Sequence, residues 1–341
     1  MPSSASTSPP DSRSRRDFPS PGSTRPERIV VKLGGSLQER IGDAGADIAR
    51  LSAAGHHVVV VHGGGAEADR LAAELGRPTR RMTAPGGRQS RYTDGPALDV
   101  LAMAMLGRVK PTLLAALSGS GLWPVGLSGL DGTLVTAQRN PPARAVVDGV
   151  ECVVRDDHSG RIGEVDPALL LTLLGGGFTP VVSPPALDAA EGMVNVDADR
   201  LAARLAVAVG ADWLILLSDV PGLLRDGTDA TSVVERLPHD ELDAHLPMAS
   251  GRMRVKVRSA AEAFAGGVPH VVIGDGRLES PVTAARAGAG TTFVAGARPA
   301  PAGRKTRGRA TAPSSSTGSA RSSARTSARG GAAAAVPGSA R

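Results

Sequence analysis

Two glycine-rich segments near the start of the chain could bind an anion. Each directly follows a valine-rich run: Lys32 leads to Gly34-Gly35, and the run HVVVVH leads through Gly63 to Gly64-Gly65. Glycines after parallel strands let a ligand approach the backbone N–H groups, and a following helix adds the positive end of its dipole. Both segments are therefore candidates to bind an anion. Neither has the spacing GxxxxGK[ST] or GxGxxG, and a tight turn without a ligand is the alternative interpretation.

Two further segments place polar residues at helix starts. Asn195 and Asp199 in the segment NVDAD are four residues apart, so they share one face of the predicted helix. They could face a ligand together, or either could cap the helix N-terminus. Lys256 lies in the segment GRMRVKV, whose basic residues could bind an anion or form a solvated helix face.

The segment SDVPGL follows the apolar run WLILL. A polar loop directly after a buried strand is a typical place for a nucleotide in α/β proteins. The same residues also suit an ordinary turn. The candidates in this loop are Ser218, Asp219, Gly222 and Leu223.

Lysine is rare in this chain. Of 39 basic residues only Lys32, Lys110, Lys256 and Lys305 are lysines. An ammonium is a compact point charge, whereas a guanidinium presents a wide fork of donors. A lysine within the folded part therefore indicates a position where arginine would not serve. We expect Lys110, at a predicted helix start, to lie on the surface.

The order of elements predicts an α/β fold. Apolar runs predict strands at 28–33, 58–61, 123–127, 178–182, 213–217 and 270–273. Helices are predicted between them, at 41–54, 66–75, 96–106, 111–117, 167–174, 197–209 and 254–265. Such alternation is typical of a parallel sheet covered by helices. A β-hairpin is predicted at 143–154, around Asp148-Gly149.

Composition excludes several classes of protein. The chain has 341 residues, of which 41% are hydrophobic, which is enough for a sizeable core. Aromatic residues make up only 2%, which argues against a protein that stacks bases on aromatic rows. A single cysteine, Cys152, excludes an internal disulfide framework. No apolar run approaches the roughly 20 residues of a membrane span, and no secretory signal is evident, so we expect a soluble cytoplasmic protein.

The two ends of the chain differ from its middle. Residues 1–27 and 297–341 are rich in Ser, Pro, Ala, Gly and Arg, and we predict that both are disordered. The second tail contains nine basic residues and no acid, which suits either an arm for nucleic acid or a solvated tail without a defined role. Residues 28–296 are therefore the predicted folded domain.

Taken together, the segments resemble the amino acid kinase family. Their order, KxGGS, VHGGG, RYTD, VGLSGLDG, NVDAD, LSDVPGL and GRMRVKV, spans essentially the whole predicted domain. The resemblance implies a three-layer αβα sandwich with an open, mostly parallel sheet. It also implies transfer of the γ-phosphoryl group of ATP to a side-chain carboxylate. The acyl acceptor would bind at about 28–180 and ATP at about 181–296.

The resemblance also implies roles for the candidate residues. Lys32 and Lys256 would flank the transferred phosphoryl group, and Asp199 would hold both ammonium groups. Mg²⁺ would arrive on ATP without a protein metal site, and a homodimer is expected. The acceptor would contact Gly64, Gly65, Arg91 and Asn195. The phosphates and nucleotide would contact Gly34, Gly35, Ser218, Asp219, Gly222 and Leu223.

The acceptor itself has two candidate forms. Residues 77–91 contain five arginines and no acid, and the loop ends in RYTD, as in kinases that act on aminoadipate or glutamate bound to a small acidic amino-group carrier protein. Such a patch could steer an acidic carrier. Free N-acetylglutamate is the alternative, as in acetylglutamate kinases. A more remote alternative is a non-catalytic nucleotide- or DNA-binding protein that uses the basic tail.

Overall fold

The computed structural model describes residues 25–34 and 41–296, in which one large sheet forms the centre. Its eight strands are β1 (Arg28–Leu33), β2 (His57–His62), β5 (Pro124–Ser128), β10 (Thr179–Ser183), β13 (Trp213–Ser218), β14 (Arg236–Pro238), β15 (His270–Asp275) and β16 (Thr291–Val294). Their order across the sheet is β14-β16-β15-β13-β1-β2-β10-β5, and every neighbouring pair is parallel except β15 and β16.

Helices cover both faces of this sheet, which confirms the predicted three-layer α/β fold. They are α1 (Ile41–Ala53), α2 (Gly65–Glu74), α3 (Gly95–Ala102), α4 (Lys110–Gly119), α5 (Ala168–Gly175), α6 (Ala198–Ala208), α7 (Leu242–His245), α8 (Gly251–Ala265) and α9 (Pro281–Arg286). Short 3₁₀ turns occur at Asp131–Thr133 and His239–Glu241.

Two apolar clusters lie on opposite faces of the sheet because successive strand residues point to opposite sides. Val30 of β1 packs with residues of α5, α6 and α8, and Val31 packs with residues of α1, α4 and α9. Burial of each such valine or leucine side chain contributes about 1.5–3 kcal/mol. The same alternation puts Lys32 on the face of Val30, towards α6 and α8.

Two small sheets flank the large one. The first has the order β12-β11-β6-β9, and the second has the order β4-β3-β7-β8. The predicted hairpin is confirmed as β7 and β8, and Asp148 (φ 50°) and Gly149 (φ 81°) form its turn. The strands of the small sheets are β3 (Arg81–Thr83), β4 (Gln89–Arg91), β6 (Val135–Arg139), β7 (Ala143–Val147), β8 (Val150–Val154), β9 (Gly160–Val165), β11 (Ala186–Asp188) and β12 (Gly192–Val194).

The two helices predicted at 96–106 and 111–117 are one continuous helix, Gly95–Gly119, with a π-helical segment at Met103–Val109. By length and composition alone this helix could cross a membrane, which the sequence analysis had excluded. It instead packs against α1 and α2. Lys110, in its middle, is buried within the fold.

The predicted boundaries are described only in part. Arg25 and Glu27 precede the predicted start of the domain, yet Arg25 forms an ion pair with Asp212 at 2.7 Å and Glu27 pairs with Arg286. Residue 180, at which the sequence divides the two halves, lies within β10. This strand pairs with β2 and β5 of the first half. The rest of the predicted N-terminal extension and the whole basic tail lie outside the described residues.

Candidate active site

Three charged side chains meet beneath the central sheet's carboxyl edge. Lys32 extends from the end of β1 towards α6, where Asp199 lies in the first turn, and Lys256 approaches from α8. Asp199 Oδ1 accepts from Lys32 Nζ at 2.7 Å and from Lys256 Nζ at 2.9 Å. All three residues are at least nine-tenths buried. The structure therefore brings together the three residues that the sequence assigns to catalysis.

The charges of this cluster keep its central residue, Asp199, ionised. The two ammonium groups outweigh the effect of burial and hold the pKa of Asp199 well below its usual range. Burial, with the neighbouring Lys32 charge, lowers the pKa of Lys256 to about 8. Two cations and one anion leave a net positive charge, which can stabilise the developing charge on a transferred phosphoryl group.

Asp197, two residues before Asp199, has a structural role. It is the N-cap of α6, and its Oδ1 accepts from the backbone N–H groups of Asp199 and Arg200, both at 3.0 Å. The cap of α6 is thus Asp197, and neither Asn195 nor Asp199 caps the helix, contrary to the alternative interpretation of NVDAD. Asp199, the second residue of the helix, instead binds the two lysines.

The second glycine segment forms the start of α2. Gly64 is the N-cap, and a Cβ placed there would lie 2.7 Å from Met105 Cγ, so no larger residue fits without movement. Gly65 is the first residue of the helix, and its carbonyl oxygen accepts from Arg91 Nη2 at 3.0 Å. Arg91 is also held by Asp69 at 2.8 Å. Two of the predicted acceptor-binding glycines and Arg91 are therefore in one place.

Asn195 joins two loops next to α6. Its backbone N–H donates to His158 O at 2.9 Å, and its carbonyl oxygen accepts from Gly160 N at 2.8 Å. Its side-chain Oδ1 is buried and has no hydrogen-bond partner within the described part of the chain. An unpaired buried amide oxygen is costly unless a ligand completes its bonding. Asn195 is thus suited to bind a ligand, as the sequence predicts.

The predicted nucleotide residues lie after β13. Ser218 is buried at the end of that strand and Asp219 is exposed. Gly222 has no room for a side chain, because its Cβ would lie 2.7 Å from Thr291 Oγ1. Leu223 packs in the apolar core, and its N–H donates to Thr291 Oγ1 at 2.8 Å. The loop therefore combines a fixed backbone with one exposed carboxylate.

The first glycine segment is described only in part. Gly34 directly follows β1 at the same sheet edge as the lysine cluster. Gly35, predicted to bind phosphate, lies outside the described residues. Among residues 25–34 and 41–296, no three His, Cys, Asp or Glu side chains are grouped so as to hold a metal ion.

The prediction for Lys110 is wrong. This lysine is 8% exposed, and its ammonium donates to Leu127 O at the end of β5. Burial lowers its pKa to about 8. Nearby, His62 Nδ1 donates to Gly63 O at 2.8 Å, and burial lowers the pKa of His62 to about 4, so this imidazole is neutral at pH 7. The Lys110 contact could not be read from the sequence, since Lys110 and its acceptor are on separate elements.

Arg252 is a site residue that the sequence analysis did not single out. It lies at the start of α8, one turn before Lys256. Its Nη2 is 3.9 Å from the ideal Cβ position of Gly65, so α8 reaches the glycine segment of α2. The rarity of lysine pointed to Lys256, but nothing comparable distinguishes one arginine among 35.

Comparison with known proteins agrees with this geometry. The sequence profile of the amino acid kinase family matches residues 27–275. The chain is 43% identical over 263 residues to a [LysW]-aminoadipate kinase of Deinococcus radiodurans, covering 77% of this chain and 90% of that protein. It is 32% identical over 262 residues to an acetylglutamate kinase of Methanococcoides burtonii, covering 74% and 84%. Carbamate kinase of Giardia lamblia bound to AMP-PNP shares the fold, with a TM-score of 0.56 at 17% identity over 79% of this chain and 99% of that one.

Proposed function

The chain belongs to the amino acid kinase family, and we propose that it transfers the γ-phosphoryl group of ATP to a side-chain carboxylate of an acidic amino acid derivative. The observation that carries this proposal is Asp199 held between Lys32 and Lys256 at 2.7 and 2.9 Å. The product is an acyl phosphate, an intermediate suited to the biosynthesis of lysine- or arginine-type amino acids.

The residue types fit this chemistry. A carboxylate with a pKa of about 4.3 is ionised at pH 7, so the acceptor needs no general base. The obstacle is the repulsion between two anions, which positive charge and positioning reduce. Lys32 and Lys256 approach the phosphoryl group from separate layers of the fold, β1 and α8. Asp199 keeps both ammonium groups oriented towards it.

ATP and Mg²⁺ enter the proposal in different ways. ATP is a substrate, and the loop 218–223 with Gly34 and Gly35 is proposed to contact it. The described site offers ammonium groups instead of the oxygen ligands that Mg²⁺ prefers, so we propose that the ion arrives on the ATP phosphates with water as its other ligands. When bound, Mg²⁺ neutralises part of the phosphate charge.

Within this reaction, we propose that the acceptor is α-aminoadipate or glutamate attached to a small acidic carrier protein. The resemblance to a [LysW]-aminoadipate kinase supports this choice. So does the exposed charge of Arg77 and Arg88, to which the described residues present no carboxylate partner. Arg80 is already paired with Asp148 at 2.9 Å. Free N-acetylglutamate is the second candidate, favoured by the similarity to acetylglutamate kinases. We further propose a cytoplasmic homodimer with an acceptor half and an ATP half.

One assay tests the reaction and the acceptor together. Acyl phosphate formed from ATP and Mg²⁺ is trapped as a hydroxamate with two acceptors in parallel, free N-acetylglutamate and carrier-bound α-aminoadipate or glutamate. We expect efficient turnover of the carrier-bound acceptor only. Efficient turnover of N-acetylglutamate would identify the second candidate instead. Hydroxamate from neither would contradict the proposed reaction.

The role of the exposed arginines has its own test. Arg88→Gln should weaken carrier binding about threefold at low salt, with little effect at high salt, because exposed charges act at long range and are screened. Arg258→Gln, an exposed arginine on α8, is the matched control for loss of one charge. Equal affinity of the wild-type and Arg88→Gln proteins at low salt would remove this loop from carrier recognition.

A further inference from the structure

Two arginines from distant parts of the chain meet over one glycine. The ideal Cβ position of Gly65 lies 3.8 Å from Arg91 Nη2 and 3.9 Å from Arg252 Nη2. Arg91 arrives from the end of β4, whereas Arg252 arrives from the start of α8. A side chain at position 65 would contact both guanidinium groups. The glycine therefore leaves a space that two cations border.

The two arginines differ in how they are held. Arg91 is largely buried and is fixed by the Asp69 carboxylate, by Thr79 Oγ1 at 2.8 Å and by the Gly65 carbonyl. Arg252 is exposed, and the described residues give its side chain no hydrogen bond or ion pair. Its positive charge also lies close enough to Arg91 to lower the pKa of that guanidinium, in addition to the larger effect of burial. The fold thus holds two like charges together with a counterion for only one.

Helix α8 places Arg252 on the same side as the Lys32–Asp199–Lys256 cluster. Arg252 and Lys256 are four residues apart, so they lie on the same face of α8, and Lys256 binds Asp199. Arg254, two residues from each, points away from that face. Arg252 is therefore the residue by which the proposed ATP half reaches the acceptor site on α2.

We propose that Arg252 binds a second non-reacting carboxylate of the acceptor and so determines acceptor specificity. This inference rests on the proposed function. An N-acetylated amino acid has one non-reacting carboxylate, for which Arg91 is sufficient. An acceptor whose amino group is joined to the side-chain carboxyl of a terminal acidic residue has two, because that residue keeps its own α-carboxylate. Two converging guanidinium groups match the second kind of acceptor.

Two synthetic ligands isolate this contact. N-acetyl-α-aminoadipate has one non-reacting carboxylate, and N-glutaryl-α-aminoadipate adds a second at the end of its acyl group. Their dissociation constants are measured by calorimetry for the wild-type protein, Arg252→Gln, Arg252→Lys and Arg254→Gln. The last variant removes one positive charge from the same helix and is the matched control. Because binding needs no turnover, the test does not depend on the transfer reaction.

We expect the wild-type protein to bind the glutaryl ligand about 30-fold more tightly than the acetyl ligand, as for a charge-assisted bidentate contact. Arg252→Gln should abolish this preference without weakening the acetyl ligand. Arg252→Lys should restore it in part, and Arg254→Gln should keep it. The dissociation constant for ATP, measured in the same way, should be the same in all four proteins.

Several results would overturn the inference. They are a wild-type protein that binds neither ligand or shows no preference, and an Arg252→Gln variant that keeps the preference or loses affinity for both ligands equally. A raised dissociation constant for ATP in Arg252→Gln would assign this arginine to the nucleotide instead. Failure of the proposed function looks different: the binding preference persists, but no hydroxamate forms from the glutaryl ligand or from carrier-bound α-aminoadipate.

Discussion

The phosphoryl site and the acceptor site of this protein are built in opposite ways. Lys32, Asp199 and Lys256 are buried and form ion pairs with one another without a ligand, which leaves one positive charge for the phosphoryl group. The acceptor side instead leaves Asn195 Oδ1 and the Arg252 guanidinium without a partner in the described structure. In the first arrangement the side chains hold one another in place before any ligand binds. The second leaves bonds for the substrate to complete, so it can determine which substrate is used.

The largest effect is expected on stability, when the central carboxylate of the phosphoryl site is removed. Asp199→Asn leaves two buried ammonium groups without a counterion, so the free energy of unfolding should fall by about 3–5 kcal/mol. Chemical denaturation measures it. Lys256, whose pKa is about 8, loses its proton as pH rises, so the loss should be larger at pH 6 than at pH 9. An equal stability of variant and wild type at pH 6 would show that the cluster does not hold its charges as described.

A substitution at the acceptor site should change the binding of the acceptor and leave the stability of the protein unchanged. Arg91→Gln should raise the KM for the acceptor about 30-fold with kcat within about threefold, because a carboxylate loses a charge-assisted contact. Initial-rate kinetics with the accepted substrate measure both constants. Arg81→Gln is the control, since Arg81 is exposed and faces the same Asp69 at 3.6 Å. An unchanged KM in Arg91→Gln would contradict its assignment.

A third buried lysine, Lys110, tests whether a buried lysine that does not contact Asp199 affects catalysis. Lys110→Met leaves Leu127 O without its donor, so the free energy of unfolding should fall by about 1–3 kcal/mol. Its kcat should stay within about threefold of the wild type, because Lys110 does not contact Asp199. Thermal unfolding and steady-state kinetics measure the two effects. A large fall in kcat with stability unchanged would place Lys110 in the reaction.

The pH dependence tests the charge state of the same cluster. Since the Lys256 ammonium must be protonated to stabilise the phosphoryl group and its pKa is about 8, kcat/KM for ATP should fall above pH 8. The decline should approach tenfold per pH unit, as for loss of one proton from the free enzyme. Lys110→Met should show the same decline although the pKa of Lys110 is also about 8. A flat profile to pH 10 would contradict the charge state assigned to Lys256.

The central sheet and its helices could be predicted from the sequence because their signals are local. Four successive valines, as in β2, indicate a strand buried on both faces, and Asp148-Gly149 indicates a hairpin turn. Strands of three residues, such as β3 and β11, carry too short a pattern to be recognised. Pro111 suggested a helix start, but the preceding π-helical segment Met103–Val109 accommodates the missing N–H and the helix continues.

The sequence predicted those site residues whose type is unusual for this chain. Rare lysines and a carboxylate four residues from an amide drew attention to Lys32, Lys256 and Asp199. The resemblance to the amino acid kinase family implied their roles, and the structure brings these three together. Contacts between distant elements gave no such signal. The burial of Lys110 depends on β5, and the approach of Arg252 to Gly65 depends on the packing of α8 near α2. Both required the three-dimensional fold.

The most direct test of the catalytic account is kcat for acyl phosphate formation by Lys256→Ala and Lys32→Ala at saturating ATP and acceptor. The hydroxamate assay measures it, with circular dichroism to verify folding. We expect each variant to lose at least about 100-fold in kcat, or about 2.7 kcal/mol of transition-state stabilisation. A folded variant with near-normal kcat would exclude that lysine from phosphoryl transfer and contradict the role given to the Lys32–Asp199–Lys256 cluster.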